Sequence, residues 1–275
     1  MLTAHRAAVL GSPIGHSLSP VLHRAAYASL GLDDWQYEAV EVADAASLAA
    51  VLDGDWAGLS LTMPLKRMVQ PMLDVVTDLA RDVGAVNTVT FGVAGRVGHN
   101  TDVEGIVGAL ADEGVTALAA GEGCVLGGGA TAASALAALS LLGDRSPVVV
   151  VRDASRAGDL LGAAERLGLA PLLVPWTDAA PVIATARVVV STVPASASAG
   201  VLALLPESAS GLLLDVVYDP WPTAVALGWQ RAGGTAIGGL TMLVHQAVGQ
   251  VRLMTGHTPS VGVLREAGLA ALRDR

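Results

Sequence analysis

The sequence is poor in lysine, cysteine and aromatic residues. Lysine and arginine together number 16, yet Lys66 is the only lysine, and aromatic residues make up 3% of the 275 residues. Cys124 is the only cysteine, which excludes an intramolecular disulfide. A buried, unreactive role is the usual one for such a thiol. In a chain that otherwise uses arginine, Lys66 is a departure that needs a chemical reason.

Charge and hydropathy exclude several classes of protein. The net charge of -9 argues against nucleic acid as a partner, because phosphate binding needs clustered Lys and Arg. The uncharged segments 123–143 and 188–206 are interrupted by Gly, Ser, Thr or Pro, so neither is a convincing membrane span. No apolar stretch typical of a signal peptide precedes Pro13. We expect a soluble cytoplasmic protein with no nucleic acid partner and no membrane.

The histidines give no indication of a metal site. None of the six shows a ligand spacing such as H-E-x-x-H, so no metal is predicted. His16 and His23 flank the short segment Ser17–Ser19, and we expect structural or supporting roles for both.

Short apolar runs alternate with helical patterns along the whole chain, which predicts an α/β fold with βαβ units and parallel sheet. We expect two α/β domains: a first domain of residues 1–103, completed by helices in 240–275, and a second of residues 104–239. The predicted strands lie at 7–11, 35–42, 56–62, 86–93, 124–127, 147–152, 170–174, 187–192, 212–218 and 235–239.

A glycine-rich turn follows the strand at 124–127. Gly127, Gly129 and Ala132 form G-x-G-x-x-A between a strand and an Ala-rich helix, and a second strand follows. In this context the first Gly allows a tight turn, the second lets backbone approach a pyrophosphate, and Ala allows close helix packing. The anion would lie at the helix N-terminus. The pattern predicts a dinucleotide-binding domain; the alternative is a structural turn.

The segment after the next strand bears on the choice of dinucleotide. Arg152 and Arg156 favour NADP, because guanidinium groups pair well with the 2′-phosphate. Asp153 favours NAD if it faces the ribose, but it would also serve as a helix cap. NADP is the expected cofactor and NAD stays possible.

Polar residues cluster at the ends of the predicted strands in the N-terminal half. Ligands bind at strand ends in open α/β sheets, although capping and turn roles are also common for these residue types. The clusters comprise Ser17 and Ser19; Thr62 and Lys66; Asn87; and Asn100, Thr101 and Asp102.

Nine segments, in order along nearly the whole chain, resemble the shikimate dehydrogenase family. They are GSPIGHSLSPVLH from 11, SLTMPLK from 60, GAVNT from 84, GHNTDVEG from 98, LGGGATA from 126, VRDASRA from 151, STVPA from 191, DVVYDPWPT from 215 and GGLTMLVHQA from 238.

The resemblance implies reversible NADPH-dependent reduction of 3-dehydroshikimate to shikimate, in aromatic amino acid biosynthesis. It also implies a substrate domain, a Rossmann cofactor domain, C-terminal helices that return to the first domain, and a monomer or homodimer. It assigns catalysis to Lys66 and Asp102. Substrate binding falls to Ser17, Ser19, Ser60, Thr62, Lys66, Asn87, Asp102, Tyr218 and Gln246, and cofactor binding to Gly127, Gly128, Gly129, Ala130, Arg152, Asp153, Arg156, Thr192, Val193 and Gly239.

Two departures from the family pattern leave alternatives open. Ser60 stands where the family commonly has Asn, and Val151-Arg152-Asp153 stands where it often has Asn-Arg-Thr. A dehydrogenase that prefers quinate or an amino analogue, or that uses NAD, is therefore the first alternative. A dinucleotide-binding regulator without turnover is the second, and the presence of both Lys66 and Asp102 argues against it.

The chemistry of ketone reduction explains why Lys66 would be lysine. Reduction leaves negative charge on oxygen, which needs a proton donor and an electrostatic stabiliser. An ammonium supplies both, whereas the high pKa and planar shape of a guanidinium suit neither. Asp102, 36 positions further along, would orient Lys66 if the fold brings them together.

Overall fold

The computed structural model describes residues 5–275, except for the side chain of Arg156. The described part of the chain forms two compact units, each with its own six-stranded sheet. One unit contains the described residues up to Gly105 together with Leu243–Arg275, and the other contains Ile106–Met242. The predicted domain limits of 1–103 and 104–239 stay predictions.

The sheet of the first unit has the strand order β2-β1-β3-β5-β6-β4. Three of its strands, β2, β1 and β3, are parallel neighbours, but β5 runs antiparallel to both β3 and β6. Its strands are β1 (His5–Gly11), β2 (Trp35–Glu41), β3 (Gly58–Leu61), β4 (Val75–Val76), β5 (Thr88–Gly92) and β6 (Gly95–His99).

The sequence predicts a parallel sheet, but β5 in the first unit is antiparallel to its neighbours. β5 and β6 form a hairpin that turns at Gly92–Gly95, and Gly95 has φ +80°, a conformation that favours glycine. Because β5 is reversed, its first residue lies at the edge where β1, β3 and β6 end. Asn87, directly before β5, therefore shares this edge with the residues that follow the other three strands.

The helices of the first unit begin and end where the sequence provides boundaries. α1 (Ser19–Leu30) has Pro20 in its first turn and the left-handed Gly31 as its C-cap, and it packs against the C-terminal helix α12 (Val261–Arg273). The C-terminal helices thus return to the first unit, as predicted. The others are α2 (Ala45–Leu52), α3 (Leu65–Met68), α4 (Asp78–Val83), α5 (Asp102–Asp112), which continues into the second unit, and α11 (Gly239–Thr255), which begins there.

The second unit has a fully parallel sheet with the order β12-β11-β10-β7-β8-β9. Counted within this unit, the order is 6-5-4-1-2-3, that of a Rossmann fold, with the switch point between β7 and β10. The strands are β7 (Gly123–Leu126), β8 (Val148–Val151), β9 (Leu172–Pro175), β10 (Val188–Ser191), β11 (Leu212–Asp215) and β12 (Thr235–Gly238).

Mostly small and β-branched side chains form the core of the second unit, together with the fully buried Trp229. The strand β10 is buried along its whole length, as expected for a central parallel strand, and Cys124 is buried in the same cluster. Burial raises the pKa of the Cys124 thiol to about 12, which fits the predicted unreactive role. The remaining helices are α6 (Ala130–Leu141), α7 (Gly158–Arg166), α8 (Ala179–Thr185), α9 (Ser198–Leu202) and α10 (Ala224–Arg231).

Candidate active site

A lysine–carboxylate pair lies at one edge of the sheet of the first unit. Lys66 Nζ donates a 2.6 Å hydrogen bond to Oδ2 of Asp102. Lys66 is in α3, just beyond the end of β3, and Asp102 is the first residue of α5, just beyond the end of β6. The Asp102 side chain is fully buried, while 13% of the Lys66 side chain is exposed. The ammonium is therefore the accessible member of the pair.

Asn87 holds the carboxylate from its other side. Its Nδ2 donates to Oδ1 of Asp102 at 2.8 Å, and its Oδ1 accepts from the backbone N–H of Thr101 at 2.8 Å. A backbone N–H only donates, so the orientation of the Asn87 amide is fixed. Both carboxylate oxygens of Asp102 are thus engaged, one by Lys66 and one by Asn87.

Asn100 fixes the start of α5 and hence the position of Asp102. Its Oδ1 accepts from the backbone N–H of Val103 at 3.2 Å, and its Nδ2 donates to the carbonyl of Ala85 at 2.9 Å. The first of these bonds is the kind that caps a helix N-terminus. The capping role that the sequence allowed for Asp102 belongs to Asn100, which leaves the Asp102 carboxylate to the ion pair.

The serines after β1 lie at the entry of α1. The Ser17 hydroxyl accepts from the backbone N–H of Ser19 at 3.2 Å and stays partly exposed. Ser19 is the first residue of α1 and is 6% exposed. Thr62, after β3, is also partly exposed, and its N–H donates to the carbonyl of Leu10 in β1. Ser17, Thr62 and Lys66 thus offer polar atoms to solvent.

Ser60 differs from the other residues predicted to bind substrate. It is 2% exposed, and its Oγ accepts a 2.7 Å hydrogen bond from the hydroxyl of Tyr37. Burial raises the pKa of Tyr37 well above its usual range, so this hydroxyl keeps its proton and acts as the donor. Ser60 has a buried partner within the protein, and whether it also contacts substrate stays a prediction.

The glycine-rich loop of the second unit has the conformation that an anion site requires. Gly127 has φ +118°, and a Cβ there would meet the Thr192 hydroxyl, which itself donates to the carbonyl of Leu126. Gly129 is the N-cap of α6, is exposed, and leaves the first turn of the helix without a side-chain cap or an acidic residue. The first turn of α6 is therefore suited to a pyrophosphate.

After β8, the exposed Arg152 precedes Asp153, whose carboxylate is already hydrogen-bonded. Arg152 is exposed at the end of the strand. Oδ1 of Asp153 accepts from the backbone N–H of Ser155 at 3.0 Å and from its hydroxyl at 2.6 Å. Asp153 thus caps the turn Ala154–Arg156, which was one of its two predicted roles. The Arg156 side chain lies outside the described residues.

The remaining cofactor and substrate candidates follow strands of the second unit or lie in α11. Val193 and Gly239 are buried, and the Gly239 N–H donates to the Val217 carbonyl at 3.1 Å. Tyr218, after β11, and Gln246, in α11, are both half-buried.

The buried Asp215 anchors the segment that carries Tyr218. Its carboxylate accepts from the Thr223 hydroxyl at 2.7 Å and from the Val217 N–H at 3.3 Å. Burial raises its pKa, against the effect of these two bonds. The sequence analysis assigned no role to Asp215.

No metal site or membrane helix is found within residues 5–275. The described His, Cys, Asp and Glu side chains form no cluster of three that could hold a metal ion. Likewise, none of the described helices combines the length and apolar character needed to cross a bilayer.

Sequence comparison identifies the family. Residues 9–89 match the family described as "Shikimate dehydrogenase substrate binding domain", and residues 239–267 match "Shikimate 5'-dehydrogenase C-terminal domain". Shikimate dehydrogenase (NADP(+)) of Geobacter metallireducens is 33% identical over 279 residues, which covers 96% of this chain and 96% of that protein. The chain belongs to the shikimate dehydrogenase family.

Solved structures of shikimate dehydrogenases have the same fold. The enzyme of Mycobacterium tuberculosis superposes with a TM-score of 0.86 at 41% identity, over 97% of this chain and 99% of the other. The Thermus thermophilus enzyme in complex with NADP(H) and shikimate gives a TM-score of 0.82 at 34% identity, over 98% of this chain and 100% of the other. The predicted fold, a substrate domain and a Rossmann domain, is confirmed.

Several residues that contact the predicted site residues were not themselves predicted. Tyr37, Thr88 and Gln250 are buried and hydrogen-bonded to predicted site residues. Gln250 lies four positions after Gln246 in α11, so helical spacing would have placed both on one face. Tyr37 gives no such indication, because it meets Ser60 from a different strand. Thr88 is the neighbour of Asn87 in sequence, but a threonine at the start of a strand does not by itself indicate this bond.

Proposed function

We propose that this protein catalyses the reversible NADPH-dependent reduction of 3-dehydroshikimate to shikimate. The ion pair of Lys66 with the buried Asp102, at the edge where β1, β3 and β6 end, carries the proposal. Membership in the shikimate dehydrogenase family supports it, as does the Rossmann strand order of the second unit.

Lys66 is the catalytic residue in this proposal. As the carbonyl is reduced, its oxygen gains negative charge and requires a proton. An ammonium has three N–H donors, and one is used by Asp102, so the others can face the substrate oxygen. Asp102 acts through Lys66 by fixing the ammonium position and balancing its charge. In the reverse direction Lys66 accepts the proton from the shikimate hydroxyl.

The substrate would be held mainly by neutral polar groups. Shikimate is an anion and the protein carries a net charge of -9, so long-range attraction cannot bring it in. We propose that Ser17, Ser19, Thr62, Asn87, Gln246 and Tyr218 bind its carboxylate and hydroxyls, together with Lys66. Accordingly, kcat/KM should show no steep fall as salt is raised.

NADP fits the second unit better than NAD does. The bound dinucleotide supplies the hydride. Gly127, Gly128, Gly129 and Ala130 would receive its pyrophosphate, with Thr192, Val193 and Gly239 lining the rest of the site. Arg152 is exposed and able to pair with a 2′-phosphate, while Asp153 is bound to Ser155. We include Arg156 in this group on the family resemblance alone.

One set of rate measurements tests the proposal. We expect kcat/KM to be highest for shikimate with NADP when shikimate and quinate are each measured with NADP and NAD. A preference for quinate or for NAD would support the first alternative, whose grounds are Ser60 and Asp153. A dinucleotide-dependent thermal shift without any oxidation of shikimate would support a regulator instead. The monomeric or homodimeric state and the cytoplasmic location stay predictions from the sequence.

A further inference from the structure

A chain of buried hydrogen bonds connects His23 in α1 to the Asp102 carboxylate. His23 Nε2 lies 3.1 Å from Oε1 of Gln250, whose Nε2 lies 3.2 Å from the Thr88 hydroxyl. Thr88 donates to Oδ1 of Asn87 at 2.9 Å, and Asn87 donates to Asp102 at 2.8 Å. The first four residues are at most 1% exposed, so water does not compete for these bonds.

The backbone fixes the direction of every bond in this chain. Gln250 Nε2 also lies 3.4 Å from the backbone carbonyl of Asn87, and a carbonyl only accepts, so the amide nitrogen must point there. Oε1 of Gln250 then faces His23, which must therefore carry its proton on Nε2. Nδ1 of His23 is left to accept from the Tyr27 hydroxyl at 3.3 Å.

His23 is held in the state that this direction requires. Its ring stacks on Tyr37 with 3.8 Å between centroids, which fixes the ring plane. Burial lowers the pKa of His23 to about 4, so the ring is neutral at neutral pH and has a single N–H to donate. That N–H goes to Gln250. The oxygen of the glutamine is thus bonded to a group that does not change its charge in the working range.

We propose that Gln250 is a positioning residue for the reaction, which holds Thr88 and Asn87 in the orientation that fixes the Asp102–Lys66 pair. The inference rests on the proposed function. By donating to the Thr88 oxygen, Gln250 directs the Thr88 proton to Asn87 Oδ1. This bond reinforces the one from the Thr101 N–H, which already turns the Asn87 nitrogen towards Asp102. The role belongs to Gln250 rather than to the half-buried Gln246 four positions earlier.

Substitutions of nearly equal volume test this role. Gln250→Met fills the same space without hydrogen bonds. Gln250→Glu, when ionised, would accept the Thr88 proton and so remove one of the donors to Asn87 Oδ1, leaving those of Thr101. Gln70→Met is the matched control, because Gln70 is half-buried and donates to the Gly84 carbonyl, outside this chain of bonds. Folding of each variant is checked by the stoichiometry of NADP binding.

The expected result is a selective loss of turnover. Gln250→Met should lower kcat for shikimate oxidation about tenfold, since small misplacements of a catalytic group are costly. Gln250→Glu should lower it further, while KM for shikimate stays within about threefold in both. The solvent deuterium isotope effect on kcat should rise, because a misplaced Lys66 slows proton transfer. Gln70→Met should keep kcat within about twofold.

Other outcomes overturn the inference. A kcat of Gln250→Met within twofold of the wild-type value would do so. A lower kcat with an unchanged isotope effect would also do so, because it indicates a smaller amount of active protein. If Gln250→Met does not fold, Thr88→Val breaks the same chain of hydrogen bonds one residue closer to Asp102. It must then show the same lower kcat and the same larger isotope effect. A wild-type protein that does not oxidise shikimate contradicts the proposed function as well, whereas active wild type beside unaffected variants contradicts the positioning role alone.

Discussion

The Lys66 ammonium and the Asp102 carboxylate are 2.6 Å apart although 36 positions separate them in the chain. The carboxylate has no exposed surface, and Asn87 binds its second oxygen. A buried carboxylate with a single cationic partner makes that partner hard to replace, because removal leaves an uncompensated charge. The only lysine of the chain is therefore held where its charge and its position both matter.

Replacement of Lys66 by arginine should abolish most turnover. In Lys66→Arg the charge is kept, but the guanidinium is a poor proton donor and places its N–H groups elsewhere. We expect kcat to fall by about 100-fold or more, in line with the loss of general acid catalysis. Steady-state kinetics with shikimate and NADP provide the measurement, and dinucleotide affinity should stay near wild type. Near wild-type turnover would show that Lys66 has no acid–base role.

Ser60 should matter more for stability than for substrate binding. Ser60→Ala leaves the buried Tyr37 hydroxyl without its acceptor, which we expect to lower the free energy of unfolding by about 1–3 kcal/mol. KM for shikimate should change less than threefold. Denaturant titration and steady-state kinetics measure the two effects. Ser29→Ala is the control, because Ser29 is exposed and its hydroxyl donates only to the carbonyl of Ala26 in the same helix. A tenfold rise in KM would instead establish Ser60 as a substrate contact.

Arg152 should determine the preference for NADP. Arg145 precedes β8 and Arg152 follows it, so the two exposed arginines lie at opposite ends of one strand. Arg152→Gln should raise KM for NADP at least tenfold, with little effect on KM for NAD, because a charge-assisted pair with the 2′-phosphate is lost. Arg145→Gln should change neither value. Equal effects of Arg152→Gln on both dinucleotides would exclude recognition of the 2′-phosphate.

His23 should make the protein less stable in mild acid. Its folded pKa of about 4 lies below the ordinary 6.5, so between these values the unfolded chain binds more protons. The stabilisation is complete above about pH 6.5 and is lost as pH falls towards 4. Since one pKa unit corresponds to about 1.4 kcal/mol, the loss amounts to about 3 kcal/mol.

Chemical denaturation at several pH values measures this effect. His23→Phe keeps a buried ring. It should remove the contribution of His23 to the slope of unfolding free energy against pH between pH 4 and 6.5. His257→Asn is the control, because His257 is exposed and its substitution removes no buried imidazole. An unchanged slope in His23→Phe would show that other groups cause the acid sensitivity.

Much of the fold could be predicted because local patterns determine it. All ten predicted strands correspond to strands of the structure, since runs such as VVVV in β8 suit only a strand that is buried on both faces. The strands β4 and β6 were not predicted. β4 has two residues, and β6, GRVGH, has only one large apolar side chain, so neither shows a pattern. Without β6 there was no reason to expect the antiparallel hairpin.

The sequence suggested candidate site residues but not the contacts between them. Lys66, Asp102 and Asn87 stand in segments that resemble the family, and their contacts agree with a shared site. Their assignment as site residues stays a prediction until the variants are measured. Gln250 was not predicted, because a glutamine in an amphipathic helix usually faces solvent, and its partner His23 is 227 positions away.

Three features follow from local sequence: the alternation of strands and helices, the glycine turn before α6, and the single lysine shortly after β3. These depend on neighbouring residues, through periodicity, backbone freedom and helix capping. Three others emerge from the folded chain: β5 runs antiparallel, Asn100 caps α5, and Gln250 lies between His23 and Thr88. These depend on residues distant in the chain, and burial makes such contacts specific, because a polar atom without access to water needs a partner within the protein.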